Sequence, residues 1–169
     1  MLQTPLRRGL AIAAVALPLI LGACSSTSEQ VKDQIATQVQ DKLSLAETPT
    51  VTCPDDAKAK EGESFQCTLE LEGKSVPVDV KFKDDTHFES SVVGAVYKKS
   101  VIDKGLADQL SSNNIQVESV DCPGTKLVII AKGKTIECEA VDTDGAKATL
   151  KVGLNAKDEA QIQDITPQS

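Results

Sequence analysis

The sequence predicts an α+β fold of two tandem small domains, each one N-terminal helix packed on a small antiparallel β-sheet with one intradomain disulfide. Three observations predict it. A helical stripe occurs twice, with Ile35, Val39 and Leu43 matching Ile102, Leu106 and Leu110 at i, i+4, i+8. A pair of cysteines follows each stripe at like spacing, Cys53 and Cys67, then Cys122 and Cys138. Segments that alternate apolar and polar residues run through and beyond the second cysteine of each pair. Self-similarity of this kind marks a duplicated structural unit, and it places the domains at residues 29–95 and 96–169.

In chain order, Ser26-x-x-Glu29 and Ser100-x-x-Asp103 have the spacing of helix N-terminal capping pairs. After each helix comes Val51-x-Cys53-Pro54 or Val120-x-Cys122-Pro123, and then Gly62 or Gly133, each five residues before the second cysteine. Phe65 and Ile136 stand two residues before that cysteine. Leu71-Glu72-Gly73-Lys74 and Thr143-Asp144-Gly145-Ala146 carry the signal of a short hairpin connection. Beyond them Val76, Val78, Val80 and Phe82 match Ala148, Leu150, Val152 and Leu154. One face of each sheet is therefore apolar and suited to burial against the helix stripe. The other is polar, with Gln66, Thr68, Glu70, Asp79 and Lys81 in the first copy and Glu137, Glu139, Thr149 and Lys151 in the second. Pro77 lacks a ladder donor, which predicts an edge strand or a bulge there. The apolar run Leu127-Val128-Ile129-Ile130 has no counterpart in the first copy and is expected to be an extra strand or a contact surface.

The composition narrows the function. The formal net charge is -7, and a chain starting at Cys24 would carry -9, because Arg7 and Arg8 are the only charges before it. An acidic chain without basic patches lacks the electrostatic grip that nucleic acid and anionic headgroups require, so no nucleic-acid partner is expected. There is no Trp, and Phe65, Phe82, Phe88 and Tyr97 are the only aromatic residues, so the core is built mainly from Val, Ile, Leu and Ala. His87 is the sole histidine, which removes His-based metal clusters and two-histidine mechanisms, and it reads as a strand or turn residue. S-x-x-K, Walker and G-x-G-x-x-G patterns are missing. Asp142-Thr143-Asp144-Gly145 matches part of a calcium loop but lacks the later Glu ligand, and a hairpin turn explains it better. Asp55-Asp56 and Asp84-Asp85 read as solvated loop acids. No catalytic residue, metal or cofactor is assigned, and the chain is not expected to be an enzyme.

Five cysteines make an odd set. The four in the repeats read as disulfides in an exported chain, and repeat symmetry selects Cys53–Cys67 and Cys122–Cys138 from the three connectivities that four cysteines allow. A redox site calls for a close pair such as C-x-x-C, and a thiolate metal site for short paired spacings; neither is present.

Cys24 has a different context. Residues 1–23 read as a signal peptide, with Arg7-Arg8 as the basic segment, residues 9–21 as an apolar stretch too short to cross a membrane as a helix, and Gly22-Ala23 before the cysteine. Leu21-Gly22-Ala23-Cys24 resembles a bacterial lipobox, which implies that Cys24 is lipidated, bears the fatty acyl (palmitate) anchor and becomes the mature N-terminus. Two acyl chains at about 0.8 kcal/mol per buried CH₂ anchor stably where one is marginal. Residues 24–28 then form a polar tether.

The pattern of a helix, Val51, Cys53, Pro54, Lys60, Gly62, Cys67, Gly73, Val78 and Val80 resembles the actinobacterial family catalogued as domain of unknown function 4333. It returns as Val120, Cys122, Pro123, Gly133, Cys138, Gly145, Leu150 and Val152, with Ala131 in place of Lys60. The resemblance implies an envelope or membrane-associated protein and supplies no catalytic residues. The resulting expectation is a lipid-anchored protein on the extracytoplasmic face of the cell membrane, acting as a non-catalytic interaction module for an envelope protein. Its expected surfaces are the polar sheet faces and residues 127–130. A passive structural envelope lipoprotein, or a carrier of lipid or a small ligand, is the alternative.

Overall fold

The computed structural model describes residues 17–18 and 27–168. The first helix, α1, spans Thr27–Leu43. Its stripe behaves as the periodicity requires: Val31, Ile35, Val39 and Leu43 are buried, while Glu29, Asp33, Thr37 and Asp41 on the opposite side are exposed. Of the predicted signal segment only the two-residue strand β1 (Leu17–Pro18) falls within the described residues; Cys24 and Ser26 lie outside them.

The first unit runs through Val93. Its strands are β1, β2 (Thr50–Thr52), β3 (Ser64–Leu71), β4 (Lys74–Phe82) and β5 (His87–Val92), in the antiparallel order β1-β5-β4-β3-β2. Alternation sets the register. Cys67, Leu69 and Leu71 of β3 and Val76, Val78, Val80 and Phe82 of β4 are buried, and the residues between them face outward. The β3–β4 hairpin is closed by Glu72 and Gly73, both at positive φ (48° and 73°), as the right-handed strand twist favours in a two-residue turn.

Pro77 is neither on an edge strand nor at a register shift, contrary to the expectation: β4 is interior, and Pro77 pairs in step with Thr68. The reason is the direction of its missing donor. The Pro77 carbonyl accepts the Val93 N–H (2.8 Å), so its nitrogen also points to the β5 side, where the ladder ends at Val78 and Val92. The missing N–H thus forfeits only the reciprocal bond to the Val93 carbonyl at the end of the β4–β5 ladder, and none to β3.

The second unit begins at Gly94. It contains β6 (Gly94–Lys98), α2 (Lys99–Ser111), β7 (Val117–Asp121), β8 (Leu127–Ala131), β9 (Thr135–Asp142), β10 (Lys147–Leu154) and β11 (Ala160–Pro167). Four strands form the antiparallel sheet β11-β10-β9-β7, and β6 pairs with β8 as a separate antiparallel ribbon. Residues 127–130 are therefore a strand and not an exposed contact surface: Leu127, Val128 and Ile130 are buried. Ile102, Leu106 and Leu110 of α2 share one core with Val120, Cys138, Ala140, Leu150 and Val152 of the sheet and with Tyr97, Val128 and Ile130 of the ribbon.

Ser100 does not cap α2. The strand β6 runs directly into the helix, Lys98 holds the cap position in an extended conformation without a side-chain cap bond, and Ser100 lies inside the first turn. The Lys99 N–H is satisfied instead by the Lys126 carbonyl just before β8 (2.7 Å). The turn after β9 is wider than the one after β3. The Gly145 N–H donates to the Asp142 carbonyl, Gly145 takes φ +83°, and the Asp142 Oδ1 accepts the N–H groups of Asp144 and Ala146 (2.9 and 2.8 Å). Asp142 is thus occupied in turn formation, as the hairpin reading expects.

Candidate functional site

The covalent staples occupy matching places. Thr52 pairs with Thr68, so Cys53 falls opposite Cys67 one step further along; Asp121 pairs with Glu139, so Cys122 falls opposite Cys138. The Cα–Cα separations, 4.3 and 4.2 Å, are those of a narrow, non-hydrogen-bonded antiparallel pair, which brings two side chains on one face close together. Both bridges are buried on the apolar side of their sheets. Closing loops of this length stabilises the fold by about 3 kcal/mol in the chain-entropy account.

Around the second staple stands a charge cluster that sequence reasoning missed. Lys99 Nζ donates to Asp103 Oδ2 (2.7 Å) and Asp121 Oδ1 (2.6 Å), and the other Asp103 oxygen accepts the Cys122 N–H (3.0 Å). Asp103 therefore ties the first turn of α2 to the disulfide. Partial burial alone would lower the Lys99 pKa; the two carboxylates outweigh it and hold the ammonium above its ordinary value. The i, i+4 spacing of Lys99 and Asp103 is a local signal that points to their pairing. The approach of Asp121 and Cys122 leaves no local signal.

A second network is largely buried. Tyr97 Oη accepts the Ala160 N–H (2.9 Å) and donates to the Asp158 carbonyl (3.3 Å), and burial pushes its phenol pKa up. Gln109 Nε2 donates to the Ala160 carbonyl (3.1 Å), while its Oε1 accepts the Ile162 N–H (3.4 Å). Two side chains thereby satisfy backbone groups at the outer edge of β11 that no strand among the described residues pairs.

In the first unit Asp84 is more than a solvated loop acid. Its Oδ1 accepts from the Thr86 hydroxyl (2.7 Å), the Thr86 N–H (2.7 Å) and the His87 N–H (2.9 Å), and Nδ1 of His87 lies 2.9 Å away. The Thr86 side chain first, then the Thr86 backbone and His87, hold this exposed carboxyl well below the usual range. His87 sits at the start of β5, a strand and turn residue as read from the sequence.

The outward sheet faces carry cross-strand polar pairs: Gln66 to Asp79 (2.8 Å), Lys83 to Glu89 (3.0 Å) and Lys147 to Glu139 (2.9 Å). Among the described residues no group of three His, Cys, Asp or Glu side chains is gathered to hold a metal ion. No described helix is long and apolar enough to cross a membrane. The lipidation candidate Cys24 lies outside the described residues.

No curated protein and no solved structure matches the chain. The model of a protein family described as a domain of unknown function (DUF4333) matches it twice, over residues 10–86 and 88–159. The helix, the staple and the hairpin with its Gly fall inside both matches, and the chain belongs to this family as a tandem pair of its domains.

Proposed function

We propose that the chain is a lipid-anchored cell-envelope protein that presents two small domains, each a helix packed on an antiparallel sheet, as a non-catalytic module for binding an envelope protein. Residues 1–23 direct export, Cys24 carries the acyl chains, and residues 24–28 tether the domains to the extracytoplasmic face of the membrane. Leu21-Gly22-Ala23-Cys24 supports the anchor. The observation that carries the binding role is the division of labour within each sheet. The apolar face and both cysteines of each unit are committed to its own core, and the opposite face offers polar side chains, with Gln66 paired to Asp79 in the first unit and Lys147 to Glu139 in the second. A polar surface carried on a disulfide-stapled sheet loses less conformational entropy on binding than a loose one, which favours recognition of another protein.

Two measurements test this reading. Cells fed an alkyne analogue of palmitate label the wild-type chain, and Cys24→Ala loses both the label and the membrane fraction. Proximity labelling from the anchored chain recovers the same envelope neighbour in repeated experiments. A labelled Cys24→Ala chain removes the anchor, and a neighbour set no different from that of an unrelated lipoprotein removes the binding role.

A further inference from the structure

We propose that the outer edge of β5 in the first unit accepts an extended apolar polypeptide strand through main-chain hydrogen bonds, while the matching edge of β11 in the second unit is closed. This deepens the protein-binding reading, and rests on it for the release of the edge when residues 1–23 are removed.

The backbone directions come first. The His87 carbonyl accepts the Lys83 N–H (2.8 Å) and the Val93 N–H reaches Pro77, so odd-numbered residues of β5 face β4. The N–H and C=O groups of Phe88 and Ser90 therefore point to the outer edge. In the second unit Val152 pairs with Ile162 and Leu154 with Ala160, as Val80 pairs with Ser90 and Phe82 with Phe88. Ala160 and Ile162 are thus the counterparts of Phe88 and Ser90. The Ala160 N–H is taken by Tyr97, and the Ala160 C=O and Ile162 N–H by Gln109. A strand cannot add there without displacing two buried side chains.

The first unit cannot be closed in this way. Tyr97 is the only tyrosine in the chain. The α1 position matching Gln109 is Lys42, and an ammonium has no acceptor for an edge N–H. The edge is instead met by main chain: Leu17–Pro18 lies antiparallel on β5, Leu17 opposite Phe88 and Pro18 opposite His87. In that register Leu17 faces the edge groups of Phe88, and Pro18 points its donorless nitrogen away, the one orientation in which proline fits an edge strand. Leu17–Pro18 of the chain itself is therefore the first occupant. Once it is removed, the Phe88 N–H and C=O lose their main-chain partner, and strand edges of this kind recruit extended segments of other chains.

Amide exchange on the full-length chain in detergent micelles tests this. In Leu17→Pro, which removes the N–H facing the Phe88 carbonyl and so loosens the strand that accepts the Phe88 N–H, the Phe88 amide exchanges about tenfold faster, the loss expected for roughly one backbone hydrogen bond. Ala160 and Ile162 keep their rates. A synthetic peptide of residues 12–23 restores protection at Phe88, and the same peptide N-methylated at residue 17 does not. Unchanged rates in Leu17→Pro, or equal protection by both peptides, overturns the proposal. Protection by the peptide with no neighbour found by proximity labelling keeps the edge and removes only the envelope partner.

Discussion

A single carboxylate shows how much one side chain does here. Asp103 accepts a backbone N–H from Cys122 and an ammonium hydrogen from Lys99, so it joins helix, disulfide and β7 at one point. Replacing it with alanine leaves the Cys122 N–H without its acceptor, at a cost of about 1–3 kcal/mol. Urea titration of Asp103→Ala is expected to show a lower midpoint at unchanged slope. Asp103→Asn, which keeps an acceptor oxygen, recovers part of the loss. A midpoint equal to wild type would mean that Asp103 is not holding the staple. The capping spacing Ser100-x-x-Asp103 pointed to this residue for the wrong reason: the carboxylate is used, but by a backbone group 19 residues away.

At the scale of elements, the two copies fill like cores by different means. Phe65, Phe82 and Phe88 line the apolar face of the first sheet, with ring centroids 6.2 and 5.7 Å apart along the row. The second copy has Ile136, Leu154 and Ala160 at those places, all smaller. Its missing volume is supplied from outside the sheet by Tyr97 of β6 and by Val128 and Ile130 of β8. That explains why residues 127–130 have no counterpart upstream: the ribbon and the smaller side chains compensate for each other. Phe88→Ala is accordingly expected to cost about 3–5 kcal/mol, read from thermal or urea unfolding of the first unit. A loss below about 1 kcal/mol would place Phe88 outside a tightly packed core.

For the molecule as a whole, pH acts on the two units from opposite ends. The folded pKa of Lys99 is raised, so its contribution is complete below the ordinary lysine value of 10.5 and is lost as pH rises through the folded value. Tyr97 behaves likewise: its pKa is raised above 10.0, so its neutral, hydrogen-bonded phenol is lost on the alkaline side. Both are in the second unit. Asp84, in the first, has a depressed pKa, so its contribution is present above 3.8 and is lost as pH falls through the folded value. Amide shifts across a pH titration should therefore move at Cys122 and Ala160 in base and at Thr86 and His87 in acid. Simultaneous movement of all four in either limb would refute that assignment.

The duplication, the helix stripes, the strand alternation, the pairing of Cys53 with Cys67 and of Cys122 with Cys138, and the hairpin at Gly73 were legible in the sequence. Each depends on a periodicity of 3.6 or 2 residues, or on a spacing repeated in the chain, and such features are local. What the tertiary structure decided was the partner of each element. The pairing of β8 with β6, the interior place of β4 with Pro77, and the bond from Tyr97 to an N–H 63 residues away all join segments whose own sequences are compatible with other neighbours. Apolar character tells a segment to be buried; only packing and the satisfaction of backbone groups select what buries it.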